Sequence, residues 1–165
     1  MYICTINAIG LVVHLIIMKF NTKTRYGIRT MIELAIHWKG QGVFQKEISD
    51  RQEISFKYLD HLISSLKASG LIENAGGRMS GYVLTKDPGD INIYDIYKAF
   101  EPELTIVDCL AEDGVCMRSG ICATKEFWNG LNKLIIDYME GTRLEDLAQK
   151  QKTMNEEQAA SMFYI

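Results

Sequence analysis

Apolar side chains recur at three- and four-residue steps in the first half of the chain, which is the spacing of one face of an α-helix. The first such stripe predicts a helix over residues 25–39, and it consists of Ile28, Met31, Ile32, Ala35 and Trp38. Gly40 and Gly42 follow directly and predict its end. Residues 45–51 predict a short second helix with Ile48 turned inward.

A third stripe predicts the helix that carries the most functional information. Ser55 is a residue type that caps helix N-termini, and Gly70 is a typical stop. The apolar positions between them are Leu59, Leu62, Ile63 and Leu66. The opposite face of the first turns carries Ser55, Lys57, Tyr58 and His61. A short helix, a tight turn through Gln52 and Glu53, and a second helix with a polar leading face predict a helix-turn-helix.

A hairpin is predicted directly after this unit. Residues 71–74 and 82–85 are short strand-like runs that flank a glycine-rich turn. Arg78 lies at the tip of the turn and has no carboxylate beside it in the sequence. Three helices followed by such a hairpin predict a winged helix-turn-helix, so the expected fold class is mainly α with a small β wing.

The second half of the chain predicts further helices over residues 91–100 and 125–140. In the longer one, a heptad-like spacing relates Phe127, Leu131, Leu134 and Tyr138. We expect this seam to pair with a second copy in a homodimer, and packing onto the chain's own core is the alternative. A short final helix is expected next, and the residues after about 152 are polar enough to fray.

The charge distribution fits a DNA-binding front half. Residues 18–86 carry eleven Lys or Arg against six Asp or Glu, whereas residues 87–165 carry seven against fifteen. An α-helix fits the major groove of B-DNA, and its N-terminal residues reach the base edges. We expect Arg78 on the wing to enter the narrow minor groove, where the potential is most negative. We also expect three cations to contact phosphates and so position the protein on the DNA. These three, near the start of the first helix, are Lys23, Arg25 and Arg29.

Three cysteines lie close together in the second half of the chain. Six residues separate Cys109 from Cys116, and five separate Cys116 from Cys122. Thiolates are soft ligands that suit iron–sulfur clusters and zinc, but structural zinc sites usually have closer cysteine pairs. A disulfide would leave one thiol over. From the residues alone, a cluster, another metal, metal-free redox thiols and no role all remain open.

The N-terminal segment does not resemble a membrane span or a signal peptide. Its apolar run over residues 8–17 is half the length needed to cross a bilayer, and no basic region or cleavage site accompanies it. We expect residues 1–17 to lie outside the working protein, with a membrane anchor as the alternative. The expected location is the cytoplasm, where thiols stay reduced.

From residue 18 to about 150 the chain resembles the Rrf2 family of bacterial winged-helix transcriptional regulators. The segments that carry the resemblance are TKTRYG at 22–27, MIELA at 31–35, ISDRQ at 48–52, ISFKYL at 54–59, GLI at 70–72 and SGYVL at 80–84. The resemblance implies a homodimer that binds a roughly palindromic operator on double-stranded DNA. It also implies that Cys109, Cys116 and Cys122 bind a [2Fe–2S] or [4Fe–4S] cluster, which purified protein can lack.

The chain departs from this family at the fourth cluster ligand. Some cluster-binding members have a histidine three residues after the last cysteine, where this chain has Lys125. Others use an acidic residue near the N-terminus, where Arg25 stands. The alternatives are a cluster-free regulator that responds through thiols, a small molecule or a partner protein, and a small thiol redox protein.

These expectations divide the chain into five parts. They are a doubtful leader at 1–17, a DNA-binding domain at 18–86, a connecting helix and cysteine loop at 87–123, a dimerisation helix with a short final helix at 124–152, and a flexible tail at 153–165.

Overall fold

The computed structural model describes residues 20–76, 80–110 and 118–162, and these residues are mainly helical with one small antiparallel sheet. The helices are α1 (Thr22–Ile36), α2 (Gln45–Gln52), α3 (Phe56–Ala68), α4 (Ile93–Lys98), α5 (Ala123–Gly141) and α6 (Leu144–Met162), and the strands are β1 (Ile72–Asn74) and β2 (Tyr82–Leu84). The predicted fold class, mainly α with a small β wing, is confirmed.

Helix α1 lies at the centre of the fold and contacts α2, α3 and β2 as well as α4 and α6. Asn21 caps its N-terminus by accepting a hydrogen bond from the backbone N–H of Thr24 at 2.9 Å. Because neighbours cover it from several sides, its buried residues are not confined to the predicted apolar stripe. They are Thr24, Gly27, Thr30, Met31, Glu33, Leu34 and Ala35.

Helices α2 and α3 form the predicted helix-turn-helix. The turn between them passes through Glu53, which adopts a left-handed conformation with φ 53° and ends α2. Ser55 caps α3, and its hydroxyl accepts a hydrogen bond from the backbone N–H of Tyr58. All four predicted apolar positions of α3 are buried, namely Leu59, Leu62, Ile63 and Leu66. Ile48 of α2 is fully buried with them.

The wing is a hairpin in which Ile72 pairs with Leu84 and Asn74 pairs with Tyr82. Tyr82 also exchanges two backbone hydrogen bonds with Val43, the residue that leads into α2. Gly81 permits this close approach, because a Cβ there would lie 2.6 Å from the backbone of Val43. The wing is therefore attached to the helix-turn-helix through Val43.

Helix α6 is longer than the short final helix expected from the sequence, because it extends through residues 153–162. Helix α6 packs against α1, buries Leu144 and Ala148, and then continues to Met162, although residues 153–162 are exposed. Its outer turns are rich in Glu, Gln and Ala, which are strong helix formers, so propensity sustains the helix without burial. Within the ranges described above, no helix is long and apolar enough to cross a membrane. The doubtful leader lies outside them.

Candidate DNA interface and cysteine site

Three of the four residues predicted on the recognition helix face solvent. Ser55, Lys57 and His61 are exposed on the leading turns of α3. Tyr58 differs, because its ring is half-buried and packs edge-on against the ring of Tyr26 on α1, with centroids 5.9 Å apart. Tyr58 therefore joins α3 to α1, whereas the other three are free to face a groove of DNA.

The start of α3 also carries Phe56, an exposed aromatic residue that was not predicted as part of this surface. Phe56, the first residue of α3, is 55% exposed, and Phe44, which precedes α2, is 52% exposed. The side-chain amide of Gln45 donates to the carbonyl of Phe56 at 3.2 Å, which links the starts of α2 and α3. The signal in the sequence was an apolar residue three positions before Leu59, at the edge of the stripe of α3, where the first turn of the helix is left uncovered.

Of the three predicted phosphate contacts, Lys23 and Arg25 are exposed on the first turn of α1. Arg29 is held differently, since its Nε and Nη2 donate to the side-chain and backbone oxygens of Gln52 at 3.0 and 2.5 Å. Its guanidinium also lies over the Tyr26 ring, 5.2 Å from the centroid. Arg29 therefore binds the C-terminal residue of α2 from α1, and its side chain remains exposed.

A buried carboxylate fixes α1 to α2. Glu33 accepts hydrogen bonds from Arg51 at 2.7 Å and from Gln52 at 2.9 Å, and His37 lies 3.3 Å from the same carboxylate. The hydrogen bond and the negative charge of Glu33 raise the pKa of Arg51 above its usual value, so the guanidinium stays charged. This network joins α2, the first helix of the helix-turn-helix, to the central helix α1.

At the wing, the predicted Arg78 lies outside the described residues. The base of the wing carries Lys67, whose Nζ donates to Asn74 at 2.7 Å and lies 5.8 Å from the Tyr82 ring centroid. The positive charge of Lys67 therefore lies beside the base of the hairpin, near the C-terminal end of the recognition helix.

Two of the three predicted metal-site cysteines are described, and Cys116 lies outside the described residues. Cys109 sits in a short 3₁₀ turn that packs against α5, and Cys122 is the residue that precedes α5. Neither forms a disulfide. Among the described residues no three candidate ligands converge, which is expected when the middle cysteine is not among them.

The thiol of Cys122 is prepared to ionise. The Thr124 hydroxyl lies 3.0 Å from its sulfur, and this hydrogen bond, with help from the backbone N–H of Lys125, lowers the pKa of Cys122. Metals and clusters bind thiolates rather than thiols. Cys109 and Cys122 are thus free thiols on either side of residues 111–117, and thiolates are the ligand type that iron–sulfur clusters use.

Asn132 fastens the segment that leads to the cysteines onto the middle of α5. Its side-chain oxygen accepts from the backbone N–H of Ile106 at 3.1 Å, and its nitrogen donates to the carbonyl of Leu104 at 3.0 Å. The approach to Cys109 is thereby bound to the same helix that begins after Cys122.

The predicted seam of α5 lies on the surface of the chain. Phe127, Leu134 and Tyr138 are 63%, 66% and 77% exposed, and Leu131 is partly exposed. The seam borders an apolar groove of about 590 Å³ that continues onto Phe20 and Ile28. Within the described part of the chain, the core leaves most of this seam uncovered, which disfavours the alternative that the seam packs onto the chain's own core.

A capped recognition helix, a short helix before it and a hairpin attached beside them define a winged helix-turn-helix protein. Similarity to known proteins agrees with this class. Residues 20–150 match the model of the Rrf2 family, described as iron-dependent transcriptional regulators. The chain is 35% identical over 130 residues to the protein rrf2 of Nitratidesulfovibrio vulgaris, covering 79% of this chain and 87% of that one.

Two solved structures are similar at the level of the whole fold. The structure of CymR, the global cysteine regulator of Bacillus subtilis, is 31% identical with a TM-score of 0.69 and covers 80% of this chain and 97% of its own. The structure of T. potens IscR is 31% identical with a TM-score of 0.66 and covers 81% of this chain and 88% of its own. The chain belongs to the Rrf2 family of transcriptional regulators, and it is a regulator rather than a thiol redox enzyme.

Proposed function

We propose that this regulator binds a palindromic operator as a homodimer in the cytoplasm and senses iron–sulfur status, oxygen or nitric oxide through a cluster on Cys109, Cys116 and Cys122. The observation that carries the proposal is the position of Cys122 immediately before α5. The helix with the exposed apolar seam is therefore the helix that begins at the cysteine site. A change at the thiols acts directly on the element that holds two copies together.

In a homodimer paired along α5, two copies of α3 are related by a two-fold axis. Recognition helices that read half-sites of a palindrome must lie about one DNA turn, roughly 34–36 Å, apart. The cluster, when bound, supplies a group that oxygen or nitric oxide can alter. Ser55, Lys57 and His61 then face the major groove, while Lys23 and Arg25 contact phosphates.

Anaerobic reconstitution with iron and sulfide tests the cluster. We expect brown protein with visible absorbance that Cys116→Ala abolishes, while Ser64→Ala, an exposed change on α3, leaves it unchanged. Fluorescence anisotropy with the DNA upstream of the chain's own gene then compares affinity with and without the cluster. Colourless protein after reconstitution contradicts the cluster and leaves DNA binding to be judged by the anisotropy alone.

A second candidate is a cluster-free regulator that responds through its thiols. The lowered pKa of Cys122 favours it, because a thiolate is the form that oxidants attack. In that case, colourless protein loses DNA affinity on treatment with peroxide and regains it with dithiothreitol. The Cys122→Ser variant would then be insensitive to peroxide.

A further inference from the structure

We infer that Phe56 contacts the C5-methyl group of a thymine in the major groove and makes the regulator specific for thymine at one position of each half-site. This inference rests on the proposed DNA binding through α3. It assigns a base contact to a side chain that neither the sequence pattern nor the polar face of the helix had indicated.

The position of Phe56 on α3 is the first ground for this assignment. It is the first residue of the recognition helix, between the cap Ser55 and the exposed Lys57. The N-terminal residues of a recognition helix are those that approach base edges. Both sequence neighbours of Phe56 are exposed polar residues, and all three lie at the end of α3 that would approach DNA.

The exposure of the ring is the second ground. More than half of Phe56 is in water, and none of the described aromatic rings stacks against it. Leaving an aromatic side chain in water forgoes the free energy of burying it. Phe56 gains that free energy when an apolar group covers it, and in the major groove only thymine presents a methyl group.

Tyr58, the other aromatic residue of the leading turns, is not available for this contact. Its ring is half-buried against Tyr26 on the far side of the helix. The carbonyl of Phe56, by contrast, is fixed by Gln45, so the backbone that carries the exposed ring is held in place. The apolar base contact therefore belongs to Phe56.

The test removes single methyl groups from DNA. A duplex that the full-length protein binds is first selected from a random-sequence pool, and each thymine is then replaced by deoxyuridine, which lacks only the C5-methyl. We expect one symmetric pair of replacements, which removes one methyl group from each half-site, to weaken binding by about 15-fold, or about 4-fold for each methyl group. Phe56→Ala should weaken binding to the thymine duplex and abolish the difference between thymine and deoxyuridine. Phe56→Leu should retain part of that difference.

Phe44→Ala is the matched control, because Phe44 is exposed to the same degree but precedes α2. This variant should keep the full difference between thymine and deoxyuridine. In one contrary outcome, the wild-type protein selects a duplex and yet shows no loss of affinity on deoxyuridine replacement that Phe56→Ala abolishes. That result would contradict the thymine contact and leave operator binding intact. If no duplex is selected at all, the operator proposal and the contact fail together.

Discussion

Glu33 on α1 and Arg51 on α2 form an ion pair with a 2.7 Å hydrogen bond, and the carboxylate is buried while the guanidinium is half exposed. The pair joins the central helix to the helix-turn-helix. Gln52 and His37 complete the surroundings of the carboxylate, so Arg51 is its main compensating charge. Removing that charge leaves a buried anion with hydrogen bonds alone.

The first prediction concerns the stability that this pair contributes. Arg51→Met keeps the aliphatic stem and removes the charge, and we expect the free energy of unfolding to fall by about 1–2 kcal/mol. This value lies below that for a fully buried pair, because water screens the exposed guanidinium. Urea denaturation followed by circular dichroism measures it. Lys133→Met, which breaks the exposed pair with Asp137, is the control and should leave the midpoint unchanged.

The second prediction separates contacts with phosphates from contacts with bases. Lys23→Ala should weaken binding to all duplexes alike and reduce the slope of log K against log salt by about 1.8, because each of the two protomers loses one phosphate contact worth about 0.9. Lys57→Ala should instead weaken binding to the operator more than binding to unrelated DNA. Anisotropy titrations over a series of salt concentrations measure both. Equal reductions of specificity in the two variants would contradict the assignment of Lys23 to the backbone.

The third prediction concerns the attachment of the wing. Gly81→Ala places a Cβ 2.6 Å from the backbone of Val43, and backbone atoms cannot move aside as a side chain can. We expect the unfolding free energy to fall by about 1–3 kcal/mol, as for other overpacked sites, and operator affinity to fall with it. Gly141→Ala at the end of α5 has open space around its Cβ and should lower neither quantity. Thermal denaturation and anisotropy measure the two effects.

The fourth prediction is a shift in the pH dependence of alkylation at Cys122. The Thr124 hydroxyl stabilises the thiolate and lowers the pKa of Cys122, so alkylation should rise at a lower pH than for an ordinary thiol. Thr124→Val removes the hydroxyl, which should raise the pKa and move the midpoint to higher pH. Thr124→Ser keeps the hydroxyl and should preserve the wild-type profile. Mass spectrometry of the Cys122 peptide after iodoacetamide treatment measures the midpoint, and identical profiles in the two variants would exclude this role for Thr124.

The fifth prediction tests the seam of α5. Leu134→Glu places a charge in the exposed apolar surface, and a homodimer that buries this surface should dissociate to monomers. Lys133→Glu, one residue away, changes a charge outside the seam and should leave the dimer intact. Analytical ultracentrifugation distinguishes the two outcomes, and a monomeric wild-type protein would remove the basis of the pairing.

The sequence predicted α3 well because its neighbours α1, α2 and β1 together cover only one face of that helix. Its buried residues follow a single apolar stripe, and Ser55 marks its start. Helix α1 was predicted less completely, since the predicted stripe omitted Thr24, Gly27, Thr30 and Glu33, which are buried. A helix with neighbours on several sides also buries small and polar residues. The spacing of its apolar residues alone does not predict which of these are buried.

The site was predicted in outline and differed in its aromatic residues. Tyr58 and Phe56 are two residues apart and lie on opposite flanks of the apolar stripe of α3. Which of the two is covered depends on a neighbour, and Tyr26 on α1 covers Tyr58. That contact joins residues 32 positions apart in the chain, so the pattern of α3 alone does not contain it.

The two hydrogen bonds of Asn132 fix the segment before the cysteine site to the middle of α5. Residues 104–106 are anchored there, between the wing and the turn that contains Cys109. Tyr138 lies at the other end of α5 from Cys122, in the exposed seam. In the proposed homodimer, a displacement of the opening turns of α5 about Asn132 would therefore change the tilt between the two protomers.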